Sequence, residues 1–331
     1  MISYIKNFIE KQWFLFAMFA LIFIATLNPD IGKTDGLLQI NKISNVGIAL
    51  VFFLHGLGLS FHKLKQGLTT WRVHILVQLT TFVVFPLIFF ICNFLFGQYL
   101  DKGLLLGLCY LCALPSTVSS SVAMTAIGRG NIPAAIFNAT ISGLIGIVAT
   151  PFLVALFVGF SGNGISFEDA VIGIAKLLLL PLVLGQLTRP FLESLHNRYK
   201  AITNSTDRIV ILMLIFSAFS DSVSSGLWRE NGVGMIALVL IGVSALLYAV
   251  LVLTTWMSRH MNFNTEDEIA TVFCGSKKTL ASGIPMAKLI FGNHPALGLI
   301  MLPIILYHQV QLIICSILAS RYAKRSNQAP T

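Results

Sequence analysis

The chain has 331 residues, of which 56% are apolar and only 11% charged, and its mean hydropathy is +0.84. A soluble globular chain carries about 25% charged residues, so this composition excludes the soluble classes and points to a protein of the lipid bilayer. The net charge of +9 does not indicate nucleic acid. The basic residues lie in short stretches between apolar runs, which is the charge pattern of membrane loops rather than of a binding stripe.

A bilayer-crossing helix needs ~20 predominantly apolar residues. Ten such spans can be drawn, at about 13–28, 44–61, 71–96, 103–127, 131–159, 168–188, 208–224, 232–257, 267–291 and 295–320. The first run follows Lys6 and Lys11, lacks a small-x-small cleavage site and ends at Asn28-Pro29, so it reads as a retained helix. The longest connection, 189–207, falls at mid-chain and holds Arg189, Arg198 and Lys200. All five cysteines (Cys92, Cys109, Cys112, Cys274 and Cys315) lie within apolar runs. The Cys109-x-x-Cys112 pair therefore reads as packing rather than as a redox or metal motif. Outside the spans or at their first two residues, the side of the N-terminus carries 14 Lys and Arg: Lys6, Lys11, Lys63, Lys65, Arg72, Arg129, Arg189, Arg198, Lys200, Arg208, Arg259, Arg321, Lys324 and Arg325. The opposite side carries 4: Lys33, Lys42, Lys102 and Arg229. Both termini are expected in the cytoplasm.

The chain repeats itself at an offset of 162 residues. Between 117–134 and 279–296, seven of 18 positions match without a gap: Thr117/Thr279, Ser120/Ser282, Met124/Met286, Gly130/Gly292, Asn131/Asn293, Pro133/Pro295 and Ala134/Ala296. The offset is close to half the chain length, so each unit holds five spans. An odd number inverts the second unit in the membrane, as in secondary transporters. The expected fold is an all-α membrane protein of ten transmembrane helices, with one five-helix repeat at 1–162 and its inverted copy at 163–331.

The repeated segments are also the least helix-like parts of their spans. The fourth is interrupted by Leu114-Pro115-Ser116-Thr117-Val118-Ser119-Ser120-Ser121, the ninth by Gly275-Ser276-Lys277-Lys278-Thr279-Leu280-Ala281-Ser282-Gly283-Ile284-Pro285. Proline removes a backbone donor, and serine and threonine can satisfy the freed groups. Paired interruptions at corresponding places point to a transport site. Lys277 and Lys278 lie centrally in the ninth span, where a charge costs from ~2.5 kcal/mol upward. Successive helical positions point about 100° apart, so one lysine is expected to face a cavity and the other a neighbouring helix. No Asp or Glu is central in any span; the polar intramembrane groups on offer are His55, Gln78, His308 and Gln309. Asn138, Thr140 and Ser142 in the fifth span are either cation ligands or interhelical hydrogen-bonding groups.

The stretches LPSTVSSSVAMT at 114–125, RGNIPAAIFNAT at 129–140 and FCGSKKTLASGIPMAK at 273–288 resemble the bile acid:sodium symporter family, in particular its cotransporter-7-like branch, and the resemblance extends over essentially the whole chain. It implies panel and core domains, each drawn from both repeats, with helices four and nine crossing in the core at their unwound centres. It also implies uptake of organic anions coupled to sodium bound beside the crossing. On this chain the sodium-side polar pair falls on Ser120 and Ser121, and the third-helix glutamine on Gln78. The family's glutamate in the ninth-helix break falls on Ser276, followed by Lys277. Sodium symport is what the resemblance implies by default; this departure from the family's pattern puts an ammonium where a sodium ion would otherwise sit, which argues against sodium coupling and, on electrostatic grounds, favours an anionic substrate.

The main reading is a carrier for an amphipathic organic anion working by alternating access in the cell membrane, not an enzyme, with no cofactor other than a sodium ion near Ser120 and Ser121. The expected binding residues are Gln78, Ser116, Thr117, Ser119, Ser120, Ser121, Asn138, Ser276, Lys277, Lys278, Thr279, Ser282, His308 and Gln309, and the expected partners are the small organic anion and membrane lipid. One alternative is an ion/proton exchanger with a titrating lysine. The other is an intramembrane serine hydrolase built on Ser282 and His308, which would leave the duplication of the serine segment without a role.

Overall fold

The computed structural model describes residues 13–33, 36, 40–58, 69–160, 167–226, 233–292 and 294–325. Among them every regular element is helical. In chain order these are α1 (Trp13–Leu27), a 3₁₀ turn (Pro29–Ile31), α2 (Ile40–Gly58), α3 (Trp71–Leu79), a π-helical turn (Thr80–Val84), α4 (Phe85–Phe96), a 3₁₀ turn (Gly97–Tyr99), α5 (Lys102–Ala113), α6 (Ser119–Ile127) and α7 (Ile132–Phe160). There follow α8 (Phe167–Arg198), α9 (Lys200–Ser224), α10 (Val233–His260), α11 (Thr265–Ser276), α12 (Gly283–Phe291) and α13 (Leu297–Lys324). Among the described residues, four helices are long and apolar enough to cross a membrane: Trp71–Tyr99, Ile132–Val158, Gly234–His260 and Leu297–Lys324. Of the basic residues counted above, Lys6, Lys11, Lys63, Lys65 and Arg229 lie outside the described residues, as do positions 59–61 of the second span.

The connection at 189–207 joins its two spans without a loop. It is helical, and only Tyr199 separates α8 from α9. Apolar runs mark where a helix can meet lipid, not where it stops. Here the helix continues on polar residues, helped by an Arg189–Glu193 ion pair at 2.6 Å with i,i+4 spacing, and it accommodates Pro190 within α8.

The chain divides into two compact units. One comprises Met1–Gly58, Lys176–Val233 and Ala281–Met301, the other Leu59–Ala175, Gly234–Leu280 and Leu302–Thr331. In the first, α9 packs on α1, α2 and α12, burying Met18, Ala25, Val51, Phe52, Ile215, Ala218 and Phe219. Two glycines bring α2 and α8 into backbone contact. A Cβ on Gly56 would collide with the Leu182 carbonyl, and one on Gly185 with the Phe53 carbonyl, which is the small-residue crossing favoured between membrane helices. At one end of α9, His55 Nε2 stands 3.8 Å from Asp207 Oδ1. At the other, Ser222 Oγ donates to the Pro295 carbonyl at 3.1 Å and accepts the Gly298 N–H at 2.8 Å.

In the second unit α11 packs on α3, α6 and α7, and α7 also on α5 and α6. Val73, Val77, Ala134, Ala135, Ala270 and Cys274 form a small-residue core between α3, α7 and α11. The five cysteines are free thiols; Cys92 is exposed and the other four are buried.

Candidate functional site

Both interrupted stretches leave the helix over part of their length. The chain is non-helical at 114–118, between α5 and α6, and at 277–282, between α11 and α12. Within the second unit these interruptions meet. Ser116 Oγ–H donates to the Cys274 carbonyl at 2.6 Å, Ser121 Oγ–H to the Phe273 carbonyl at 3.1 Å, and the Thr279 N–H to the Pro115 carbonyl at 3.0 Å. Tyr307 Oη–H caps the Ser276 carbonyl at 2.6 Å. The end of α11 and the unwound part of the fourth span are thus stitched together through backbone groups that helix ends leave unpaired.

Helix α7 serves the break with one stripe of residues at i, i+4 and i+8. Ser142 Oγ accepts the Ser116 N–H at 2.9 Å. Thr150 Oγ1–H donates to the Ala113 carbonyl at 2.8 Å. Between them Gly146 leaves room for Pro115, whose Cβ and Cγ lie 2.6 Å from where a Cβ on Gly146 would stand. A glycine is required there by close approach, not by backbone angle.

Both central lysines are fully buried, but their surroundings differ. The Lys278 ammonium donates to three backbone carbonyls, Leu114 at 2.6 Å, Cys112 at 2.8 Å and Thr81 at 2.9 Å. The face of Phe85 lies 4.0 Å from the nitrogen. Each carbonyl is free for a reason visible in the chain. Cys112 and Leu114 lie where α5 stops, and Pro115 cannot continue it. In the π turn the Phe85 N–H reaches back five residues to the Thr80 carbonyl. At that spacing the Thr81 carbonyl would need the N–H of Pro86, which has none. Gln311 clamps the Lys278 backbone, accepting its N–H and donating to its carbonyl, both at 2.9 Å. With its oxygen committed as acceptor, Gln311 presents Nε2 as donor to His308 Nδ1 at 2.9 Å, which assigns the His308 ring proton to Nε2.

Among the described residues Lys277 makes one hydrogen bond, to the Ser120 carbonyl at 2.9 Å, with the Phe273 ring centroid 5.7 Å away. A hydrogen bond to a charged group is worth about 1.5–3 kcal/mol, so three give roughly 5–9 kcal/mol, enough to offset an effective burial penalty of several kcal/mol per ion. One does not. The carboxylates of α11 are far off: Glu268 lies nine positions before Lys277, about 14 Å along a helix. It is engaged there by Arg259 at 3.1 and 3.3 Å and by Tyr322 Oη at 2.8 Å. Asp267 accepts from Asn131 Nδ2 at 2.8 Å.

The remaining candidate residues divide. Thr117 Oγ1 stands 2.8 Å from Ser120 Oγ and 2.7 Å from Ser121 Oγ, so these hydroxyls bond among themselves. Ser276 Oγ–H turns back on the Val272 carbonyl at 2.6 Å. Gln78 Nε2 donates to the Asn138 carbonyl at 3.2 Å and to its Oδ1 at 3.3 Å, and Asn138 Nδ2 lies 3.0 Å from His74 Nδ1. Gln78 Oε1 and Gln309 Nε2 are buried without a hydrogen-bond partner among the described residues. Ser119 is exposed. Ser282 belongs to the other unit, where its carbonyl accepts the Met286 N–H at the start of α12. Reading by residue type passes over Thr81, Phe85, Gly146, Thr150, Tyr307 and Gln311. The available signals were the missing N–H of Pro86, the i+4 periodicity after Ser142, and the place of Gln311 one turn beyond Tyr307.

A sequence profile describing the SBF-like CPA transporter family matches residues 12–324. An uncharacterised protein of Pseudomonas aeruginosa is 42% identical over 318 residues, covering 96% of this chain and 94% of that one. The sodium/bile acid cotransporter 7 of Rattus norvegicus is 32% identical over 313 residues, covering 94% and 92%. That of Danio rerio is 31% identical over 313 residues, covering 94% and 93%. These likenesses place the chain among integral membrane transporters rather than hydrolases. It belongs to the SBF-like CPA transporter family.

Proposed function

We propose that this chain is a secondary carrier that moves an amphipathic organic anion across the membrane by alternating access. Lys277 supplies the counter-charge at the crossing of the two interrupted spans. The reading takes 1–162 and 163–331 as inverted five-helix halves with both termini cytoplasmic, and assigns the binding place to the polar interruptions. One observation carries it. Lys277 is a fully buried ammonium with a single hydrogen bond among the described residues, and a buried cation so poorly compensated is stabilised by an anion that enters beside it. Among the described candidate residues, Gln78 Oε1 and Gln309 Nε2 also have unused hydrogen-bonding capacity. Relatives named for sodium and bile acid fit an amphipathic anion as the class of substrate.

Sodium fits the residues less well than the anion does. The Ser120 and Ser121 hydroxyls are turned on Thr117, the Ser120 carbonyl already receives Lys277, and these neutral groups stand beside a fixed positive charge. No step of the proposed cycle is therefore assigned to a sodium ion at that pair.

The test is thermal unfolding of the purified protein in choline chloride against a panel of organic carboxylates, sulfonates and sulfates. An amphipathic anion present at 100 times its dissociation constant adds about 2.7 kcal/mol. The stabilisation should vanish in Lys277→Met. Stabilisation by the anion that is equal in the two proteins would remove Lys277 from the site.

A further inference from the structure

The geometry points to Lys278 as a covalently tethered cation that permanently fills an alkali-ion site. Deleting its amine should convert this protein into one that binds sodium. The argument begins with donors and acceptors. An ammonium has three N–H donors and no acceptor. Lys278 Nζ meets three backbone carbonyl oxygens at 2.6, 2.8 and 2.9 Å, from Leu114, Cys112 and Thr81. Its remaining side faces the Phe85 ring at 4.0 Å, where the ring quadrupole favours a positive charge. Every donor is used, and the nitrogen is cut off from water.

Backbone carbonyls converging from separate, unwound segments are how proteins replace the hydration shell of an alkali ion. Here they come from the π turn and from the end of α5. All three carbonyls are open independently of the lysine, because their helical N–H partners are removed by Pro86 for Thr81 and by the break at Pro115 for Cys112 and Leu114. The cage is a property of the surrounding chain, and the lysine enters it from the opposite interruption. Its own backbone is held on both sides by Gln311, so the side chain is aimed rather than wandering. A monovalent charge is thus supplied by the polypeptide where a monovalent ion would otherwise be needed to join the third, fourth and ninth spans. Lys277 is not equivalent: its nitrogen has one carbonyl and no cage.

For transport, the consequence rests on the carrier reading: the cycle runs without a coupling sodium ion, because that charge does not dissociate. The test needs no transported substrate. Unfolding of the purified full chain is followed in sodium, potassium and choline chloride at equal ionic strength. The wild-type midpoint should be the same in all three. Lys278→Ala should be less stable in choline and should gain about 2–4 °C in sodium, saturably. Lys278→Gln, which keeps the volume and two N–H donors but loses the charge, should show a smaller gain of the same kind and guards against an alanine variant too unstable to purify. Saturable sodium stabilisation of the wild type would overturn the proposal, and so would folded variants that treat sodium and choline alike. If no organic anion ever stabilises the protein but the salt series behaves as described, the carrier reading fails and the tethered cation stands.

Discussion

Replacing Gln311 by methionine isolates the clamp that holds the ninth-span break. The side chain is fully buried and its amide satisfies both the N–H and the carbonyl of Lys278, each at 2.9 Å. Methionine has similar volume and no hydrogen-bonding amide, so the change leaves two buried backbone groups without partners. Each such group costs about 1–3 kcal/mol, giving roughly 2–5 kcal/mol after the favourable burial of an apolar side chain. That is a large share of the 5–15 kcal/mol typical of a folded protein. For a chain of this length the loss lowers the midpoint by about 3–7 °C. A thiol-reactive fluorophore reads the transition directly, because Cys109, Cys112, Cys274 and Cys315 are buried and free while Cys92 gives a constant background. Gln309→Met is the control. Its Nε2 has no hydrogen-bond partner among the described residues, so methionine there should be neutral or stabilising. Equal losses at the two positions, or a Gln311→Met midpoint within about 1 °C of wild type, would refute the clamp.

Two further outcomes follow from the packing and from a single imidazole. Gly146→Ala should destabilise by about 1–3 kcal/mol in the same thiol assay, since its Cβ would stand 2.6 Å from two carbons of Pro115; full retention of stability would mean that α7 does not seat the break. Burial pushes His294 below its ordinary value, and its Nδ1 accepts the Ala296 N–H at 3.1 Å, a bond that a proton on Nδ1 abolishes. The native state therefore binds this proton less readily than the unfolded chain. Stability should decline as pH falls through about 6.5, the ordinary imidazole value, and His294→Asn should flatten that part of the profile, which an unchanged slope would contradict.

The membrane class was legible in the sequence because lipid imposes composition, and the two interruptions stood out because proline and glycine act on the backbone wherever they fall. The carbonyl cage was not legible. Its acceptors are main-chain atoms of Thr81, Cys112 and Leu114, and nothing in those residue types announces them. Choosing Gln309 over Gln311 was a matter of helical phase: two positions are about 200° of rotation, and only the tertiary packing decides which amide meets Lys278. Ser282 matches Ser120 in the repeat and stands at the start of α12. That the connection at 189–207 is helical was not legible from the apolar runs, because there the helix continues on polar residues, with an i,i+4 ion pair among them.

The central claim is that an organic anion crosses the membrane beside Lys277. Uptake of the stabilising anion into sealed proteoliposomes, with choline replacing sodium on both faces, measures it directly. The account predicts concentrative exchange against preloaded unlabelled anion in the wild type and its loss in Lys277→Met. Exchange that persists in that variant, or a protein that passes no anion while folded and oriented, would contradict it.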